Sequence, residues 1–240
     1  MNQLLKYQEI TTQCIPQIDF HIHTTWTDGA HSAKEMYERA VSCGLEKILF
    51  SEHARKSSED WFHRFASEIR SLPERGCEAI VGVETKVADF DGNLDCTPNI
   101  ISDCDCVVAS VHRFPGEKGK VMGVRNISQK EALDLEFRLA CLILENDDVD
   151  ILGHPFGMCY RRFRVKPDEE KIRFLIEKAA KTKVAFEINS YYHPNPWELI
   201  NWCKEAGTIF SLGSNAHNSN DVGKIIRVLE GKEICNPLES

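Results

Sequence analysis

Six of the nine histidines in this 240-residue chain stand in short motifs shared with carboxylates, serines or asparagines. In chain order the motifs are His21-Ile22-His23 with Asp28-Gly29 close behind, Ser51-Glu52-His53, Gly82-Val83-Glu84, Ser110-Val111-His112, Gly153-His154-Pro155, Glu187-Ile188-Asn189 and Ser214-Asn215-Ala216-His217. Imidazole nitrogens and carboxylate oxygens are the natural ligands of zinc, manganese and iron. A single such histidine is more often a hydrogen-bonded structural residue. Six in equivalent settings point to a metal site, and clustered divalent ions point to hydrolysis. In an extended strand, side chains repeat every two residues, so His21 and His23 face one side. Asn215 and His217 repeat that spacing near the other end of the chain.

Each motif closes a short apolar run. The runs are Ile18–Ile22, Lys47–Phe50, Ala79–Val83, Cys106–Val111, Val149–Leu152, Val184–Ile188 and Ile209–Leu212. Most are rich in Val and Ile, as strands buried on both faces are. Helix-like segments separate them. Ser32, with Glu35 three residues on, opens one that runs to about Cys43, with Gly44 just past its end. Ser58–Leu72, Ser128–Glu145, Pro167–Lys181, Pro196–Glu205 and Asn220–Leu229 follow, and Asp91-Gly92 reads as a hairpin turn in an insertion after the third strand. Seven strands alternating with helices predict a parallel α/β fold, which periodicity alone leaves open between a sheet and a barrel. Placement of the polar residues at the strand C-termini favours a barrel, where chemistry lies at that end. Closure would also bring the first and last histidine pairs together.

Length and composition fit one domain over residues 1–240, with a core spanning about 17–230. A formal charge of −8 disfavours bulk binding to a nucleic-acid backbone. Met1–Pro16 lacks the apolar run of a signal peptide, and no stretch is long enough for a membrane span, so a cytoplasmic protein is expected. None of the 10 cysteines forms a CxxC pair, which predicts free, mostly buried thiols. Sequence does not set the oligomeric state.

The ordered series HIHTTWTDG, SEH, GVE, SVH, ILGHP, EIN and GSNAH, running from about Asp19 to Gly223, resembles the PHP (polymerase and histidinol phosphatase) superfamily. The resemblance implies a distorted (β/α)7 barrel with two to three divalent metal ions, zinc, manganese or iron. It implies His21, His23, Glu84 and position 215 as ligands of a first ion. A second ion would share Glu84 and use His112 and His154, and a third would use Asp28, His53 and His217. Glu84, His112 and His217 are implied as catalytic. One departure stands out: position 215 is Asn where the motif usually carries Asp. An amide oxygen can still ligate a hard cation, but without charge. Glu52 stands where an Asp is common and is expected beside the ligands rather than among them.

The implied activity is hydrolysis of a small-molecule phosphomonoester by a metal-bound hydroxide, without a covalent enzyme intermediate. Arg161, Arg162 and Arg164 follow the fifth strand, and Arg113 follows His112. These are candidates for the substrate phosphate, because guanidinium matches phosphate with paired donors. The plainer reading for a charge run is a solvated face. His193 is a candidate substrate contact, and Tyr191, Tyr192 and Trp26 are candidate pocket walls. His31 is an alternative to Asp28 as a ligand, and His63 belongs on a helix surface. Two other functions remain in view: a phosphodiesterase or nuclease of the same family, and a metal-binding regulatory module with catalysis weakened by Asn215.

Overall fold

The structure is a computed structural model describing residues 10–116, 122, 123, 125 and 127–235. Seven strands form one sheet in chain order: β1 (Ile18–Ile22), β2 (Lys47–His53), β3 (Glu78–Lys86), β4 (Cys106–Ser110), β5 (Ile151–Gly153), β6 (Ala185–Asn189) and β7 (Phe210–Gly213). All six neighbouring pairs are parallel. The first and last strands meet through a parallel bridge between Ile22 and Ala216. His23 N–H donates to the Ala216 carbonyl at 2.9 Å, and Ala216 N–H to the His21 carbonyl at 3.0 Å. The sheet is therefore a nearly closed barrel, and the two histidine pairs meet at its seam.

Helices α1 (Ala33–Ser42), α2 (Glu59–Arg70), α3 (Pro98–Asp103), α4 (Gln129–Ile143), α5 (Glu169–Thr182), α6 (Pro196–Ala206) and α7 (Lys224–Leu229) surround it. Ser32 caps α1 in a reciprocal pair with Glu35, and Ser128 caps α4 with Glu131 in the same way. Buried residues recur at helical spacing: Ala33, Met36, Tyr37 and Ala40 on α1, and Ile172, Leu175, Ile176 and Ala179 on α5. All ten cysteines are free. Among the described residues no helix is long and apolar enough to cross a membrane.

The differences from expectation have local causes. β2 and β3 run on through their polar ends because those residues stay in register, with Glu52 opposite Val83 and His53 opposite Glu84. Helix α3 is short, and its main signal is Thr97, whose hydroxyl accepts from Ile100 N–H, followed by Pro98 in the first turn. The helix expected over Asn220–Leu229 is split into a 3-10 turn at Ser219–Asp221 and α7. Between them Gly223 has a φ of 72°, a left-handed value that breaks the helical run. The Asp91-Gly92 turn is present: Val87 pairs with Leu94, Gly92 has a φ of 83°, and the Asp89 carboxylate accepts from Asp91 and Asn93 N–H.

Candidate metal centre and active site

Glu84, near the C-terminal end of β3, is buried at the centre of the barrel mouth. Five imidazoles converge on its two oxygens. His154 Nε2 lies 2.7 Å and His112 Nε2 3.0 Å from Oε1, while His53 Nδ1, His21 Nε2 and His23 Nε2 lie 3.0, 3.2 and 3.5 Å from Oε2. Ser110, ending β4, donates its hydroxyl to Oε1 at 2.7 Å. His21 Nε2, His23 Nδ1 and Glu84 Oε2 are buried without an aligned hydrogen-bond partner. His112 Nε2 and His154 Nε2 face each other at 3.2 Å. Buried polar atoms left this way are costly, and five protonated imidazoles could not share one carboxylate. Convergent lone pairs around a single buried charge are what a divalent cation satisfies.

The sites are held from behind. Glu187 on β6 is buried and accepts from His21 Nδ1 at 2.8 Å, from Asn189 Nδ2 at 2.8 Å and from the His154 backbone N–H at 2.5 Å. A carboxylate on Nδ1 leaves the His21 Nε2 lone pair aimed at the centre. Gly213 on β7 permits this packing, since a Cβ there would collide with Glu187 Oε1 and approach His21 Cβ to 2.9 Å. His154, with a φ of 25°, departs from ordinary backbone in the segment that Glu187 clamps.

A second cluster lies toward solvent. Asp28 Oδ2 is 3.4 Å from His53 Nε2, and Oδ1 is 3.3 Å from His217 Nε2. His217 Nδ1–H donates to the Asn215 carbonyl at 3.0 Å, and His23 Nε2 lies 3.1 Å from Asn215 Oδ1. Asn215 has a φ of 51°, which asparagine tolerates better than most residues. Among the described residues three groups could each hold an ion: His21, His23 and Glu84; His53, Glu84 and His112; and His23, Asp28, His53 and His217. Glu52 is not among them. It is buried, accepts from Thr24 N–H at 2.6 Å and from the Thr27 hydroxyl, and so fastens the loop that carries Asp28.

The field of the cluster is self-consistent. Burial opposes ionisation of Glu84, yet the charges of His112, His21 and His53 hold it well below the usual carboxylate range. Burial likewise opposes charge on His53, but Glu84 and Asp28 raise it to about 10. His23 is lowered, by burial first and then by the neighbouring His53 and His21 charges.

A cavity of about 380 Å³ opens above these residues. Asp28, His53, Glu84, His112, Asn215 and His217 reach it from the two clusters. Tyr191 and Tyr192 form one wall, as expected, with the Tyr192 ring 4.3 Å from that of His154. Trp26 is not on that wall; its indole donates to Glu68 at 2.7 Å and stacks near Trp61. Arg161 reaches the rim, its guanidinium 4.0 Å from the Tyr191 ring centroid and 2.6 Å from the Tyr191 hydroxyl. Arg113, Arg162 and Arg164 are exposed and do not line the cavity. His193 also stays out of it. It is buried, its Nδ1 accepts from Asn189 N–H at 3.0 Å, and its Nε2–H donates to the Pro155 carbonyl at 3.0 Å. Both nitrogens anchor backbone, so its placement is that of a loop tie rather than a substrate contact. His31 packs against Ser219, outside the ion-binding groups, and His63 is exposed on α2.

Sequence reading left Glu187 without a role, although it sits in the same strand-end pattern as the ligands. Ser214, Asp221 and Lys224 also line the cavity. No local signal marks the last two.

The profile of the PHP domain matches residues 19–191. A probable phosphatase of Clostridium novyi is 27% identical over 224 residues, covering 89% of this chain and 84% of that one. The DNA polymerase/3′-5′ exonuclease PolX of Bacillus subtilis is 29% identical over 215 residues, 83% of this chain but only 34% of the polymerase. Among solved structures, histidinol phosphate phosphatase from Lactococcus lactis, complexed with zinc, L-histidinol and phosphate, aligns with a TM-score of 0.61 at 18% identity over 90% of this chain and 93% of that one. A Listeria monocytogenes chain assigned as a histidinol phosphatase aligns with a TM-score of 0.70 at 17% identity, over 86% and 97%.

Proposed function

The chain belongs to the PHP domain family, and on that premise we propose that it is a metal-dependent phosphoesterase acting on a small-molecule phosphomonoester. The observation that carries the proposal is Glu84: one buried carboxylate ringed by five imidazoles, beneath a cavity open to solvent. The residues fit divalent ions. His21, His23, Glu84 and Asn215 would hold one, Glu84 with His112 and His154 a second, and Asp28, His53 and His217 a third. Bound ions of this kind supply activated water at neutral pH and stabilise charge on phosphoryl oxygens.

The chain's own residues do the rest. Ser110 keeps the Glu84 carboxylate oriented between the inner histidines. Glu187 fixes the ring of His21 and the backbone of His154. Glu84, His112 and His217 line the cavity and are the residues we assign to the reaction. Arg161 stands at its rim, with Arg113, Arg162 and Arg164 farther out on the surface. The names of the related phosphatases agree with this reading, and the free thiols agree with a reducing compartment such as the cytoplasm.

The test is phosphate release by protein loaded in turn with zinc, manganese and iron, across a broad panel of small phosphomonoesters. No turnover of any member would overturn the proposal. The similarity to PolX supports a second reading, phosphodiester cleavage. Hydrolysis of short oligonucleotides without any monoester turnover would select it.

A further inference from the structure

Metal ligands leave five of the cavity-lining residues unassigned: Tyr191, Tyr192, Ser214, Asp221 and Lys224. Lys224 is the only lysine or arginine among the described lining residues. The arginines after β5 supply none of the lining; Arg161 lies over the Tyr191 ring instead. A phosphate ester entering this cavity therefore meets carboxylates, imidazoles, tyrosines and one ammonium group.

The backbone around Lys224 is fixed from both sides. Asp19 on β1 is fully buried, and its two oxygens accept from Ser214 N–H and Gly223 N–H, both at 2.8 Å. Ser214 Oγ then accepts from Ile225 N–H at 3.0 Å. Lys224 is thus held between two anchored neighbours, and the same buried carboxylate positions the stretch that carries Asn215 and His217. Gly223, with its φ of 72°, makes the turn that delivers α7 to the cavity edge. The Lys224 side chain is only 27% exposed, and Nζ lies 3.9 Å from Asp221 Oδ1. At that distance Asp221 orients the ammonium without a close hydrogen bond, leaving its donors for another acceptor.

We propose that Lys224 is a substrate-binding residue, the cation that holds the phosphate group of the ester in the cavity. A lysine ammonium serves phosphate as a mobile point charge with three donors, which suits substrates of varied shape. The assignment rests on the phosphoesterase reading and moves the phosphate-binding role from the arginine loop to the start of α7.

The experiment compares metal-loaded wild-type protein with Lys224→Met and Lys224→Arg. One charge-assisted contact predicts a rise of about tenfold to a hundredfold in KM and in the inhibition constant of inorganic phosphate for Lys224→Met. Its kcat should fall much less, and Lys224→Arg should restore most of the loss. Bound metal per chain and melting temperature should stay at wild-type values. Unchanged KM and phosphate inhibition in Lys224→Met, with an active wild type, would overturn the assignment alone. So would equal impairment of both variants together with lost metal. If the wild type hydrolyses no monoester, the phosphoesterase reading fails separately. Calorimetric titration of the metal-loaded proteins with inorganic phosphate then decides for Lys224: weaker binding in Lys224→Met upholds it, and equal binding overturns it.

Discussion

Replacing Glu187 with Gln keeps the size of the side chain and removes its charge. In the native site Oε1 accepts from both His21 Nδ1 and Asn189 Nδ2, and Oε2 accepts from His154 N–H. An amide offers one oxygen and one NH2 group. In either orientation at least one native donor faces another donor. Leaving a buried donor unpaired costs about 1–3 kcal/mol of stability. The metal effect is separate. If His21 moves its proton to Nε2 to accept from the new amide, it loses the lone pair that faces Glu84. Changes behind a ligating histidine typically weaken metal binding about 10- to 100-fold. That is about 1.4–2.7 kcal/mol of binding free energy. The assay strips the protein with a chelator, titrates zinc against a chromophoric competitor, and follows thermal unfolding of the metal-free proteins. Expected are a lower melting temperature without metal and zinc affinity reduced at least tenfold. A destabilised variant that binds zinc within about twofold of wild type would refute the claim that Glu187 orients a ligand.

Asn215→Asp places a carboxylate where the amide oxygen now lies 3.1 Å from His23 Nε2. Added negative charge should raise affinity for the weakest-held ion about tenfold or more, read as metal per chain after dialysis; an unchanged ratio at limiting metal would mean that the amide suffices. His193→Ala leaves Pro155 C=O and Asn189 N–H without their imidazole partner, costing about 1–3 kcal/mol for each group in denaturant unfolding; loss of activity with full stability would instead restore His193 as a substrate contact. Glu136 on α4 is buried and accepts from Met158 and Cys159 N–H at 3.0 and 2.8 Å, bracing the turn that leads to Arg161. Burial raises its carboxyl from 4.5 to about 7, against the lowering effect of those hydrogen bonds. The folded state then holds a proton that the unfolded state has lost, so this contribution is full below pH 4.5 and disappears as pH rises through 7. Its size is about 3 kcal/mol. Urea-unfolding free energies of wild type should therefore fall relative to those of Glu136→Gln between pH 5 and 8; parallel profiles would contradict the assignment.

The strands and the side chains that converge at their ends were legible along the chain for one physical reason: each signal is local. A buried parallel strand needs a short apolar run, and β1 begins and ends where its apolar run does, at Ile18 and Ile22. The two-residue repeat put His21 and His23 on one side, and their rings lie 5.1 Å apart. Six histidines and Glu84 were found because each closes such a run. Glu187 closes one too, but its task depends on where His21 and His154 fall in three dimensions, which periodicity does not encode.

Proximity along the chain misled at the basic loop. Arg162 and Arg164 follow a ligand strand closely, yet the turn at Cys159–Phe163 leaves them exposed and off the cavity. His193 lies next to two cavity tyrosines but spends its nitrogens on backbone, because folding buried the loop under it. Lys224 is the converse case: it is unremarkable in sequence, and barrel closure sets it in one cavity with His53 of β2, Glu84 of β3 and Asn215 and His217 beyond β7. The sequence by itself determined the strands, their order and the residue types gathered at the barrel mouth, since a parallel strand and the polar motif that closes it are each specified by a few neighbouring residues. Only the tertiary structure decided which charges face the cavity and which carboxylate steadies the converging histidines, because those contacts join Asp19 to Gly223 and His21 to Glu187 across most of the chain.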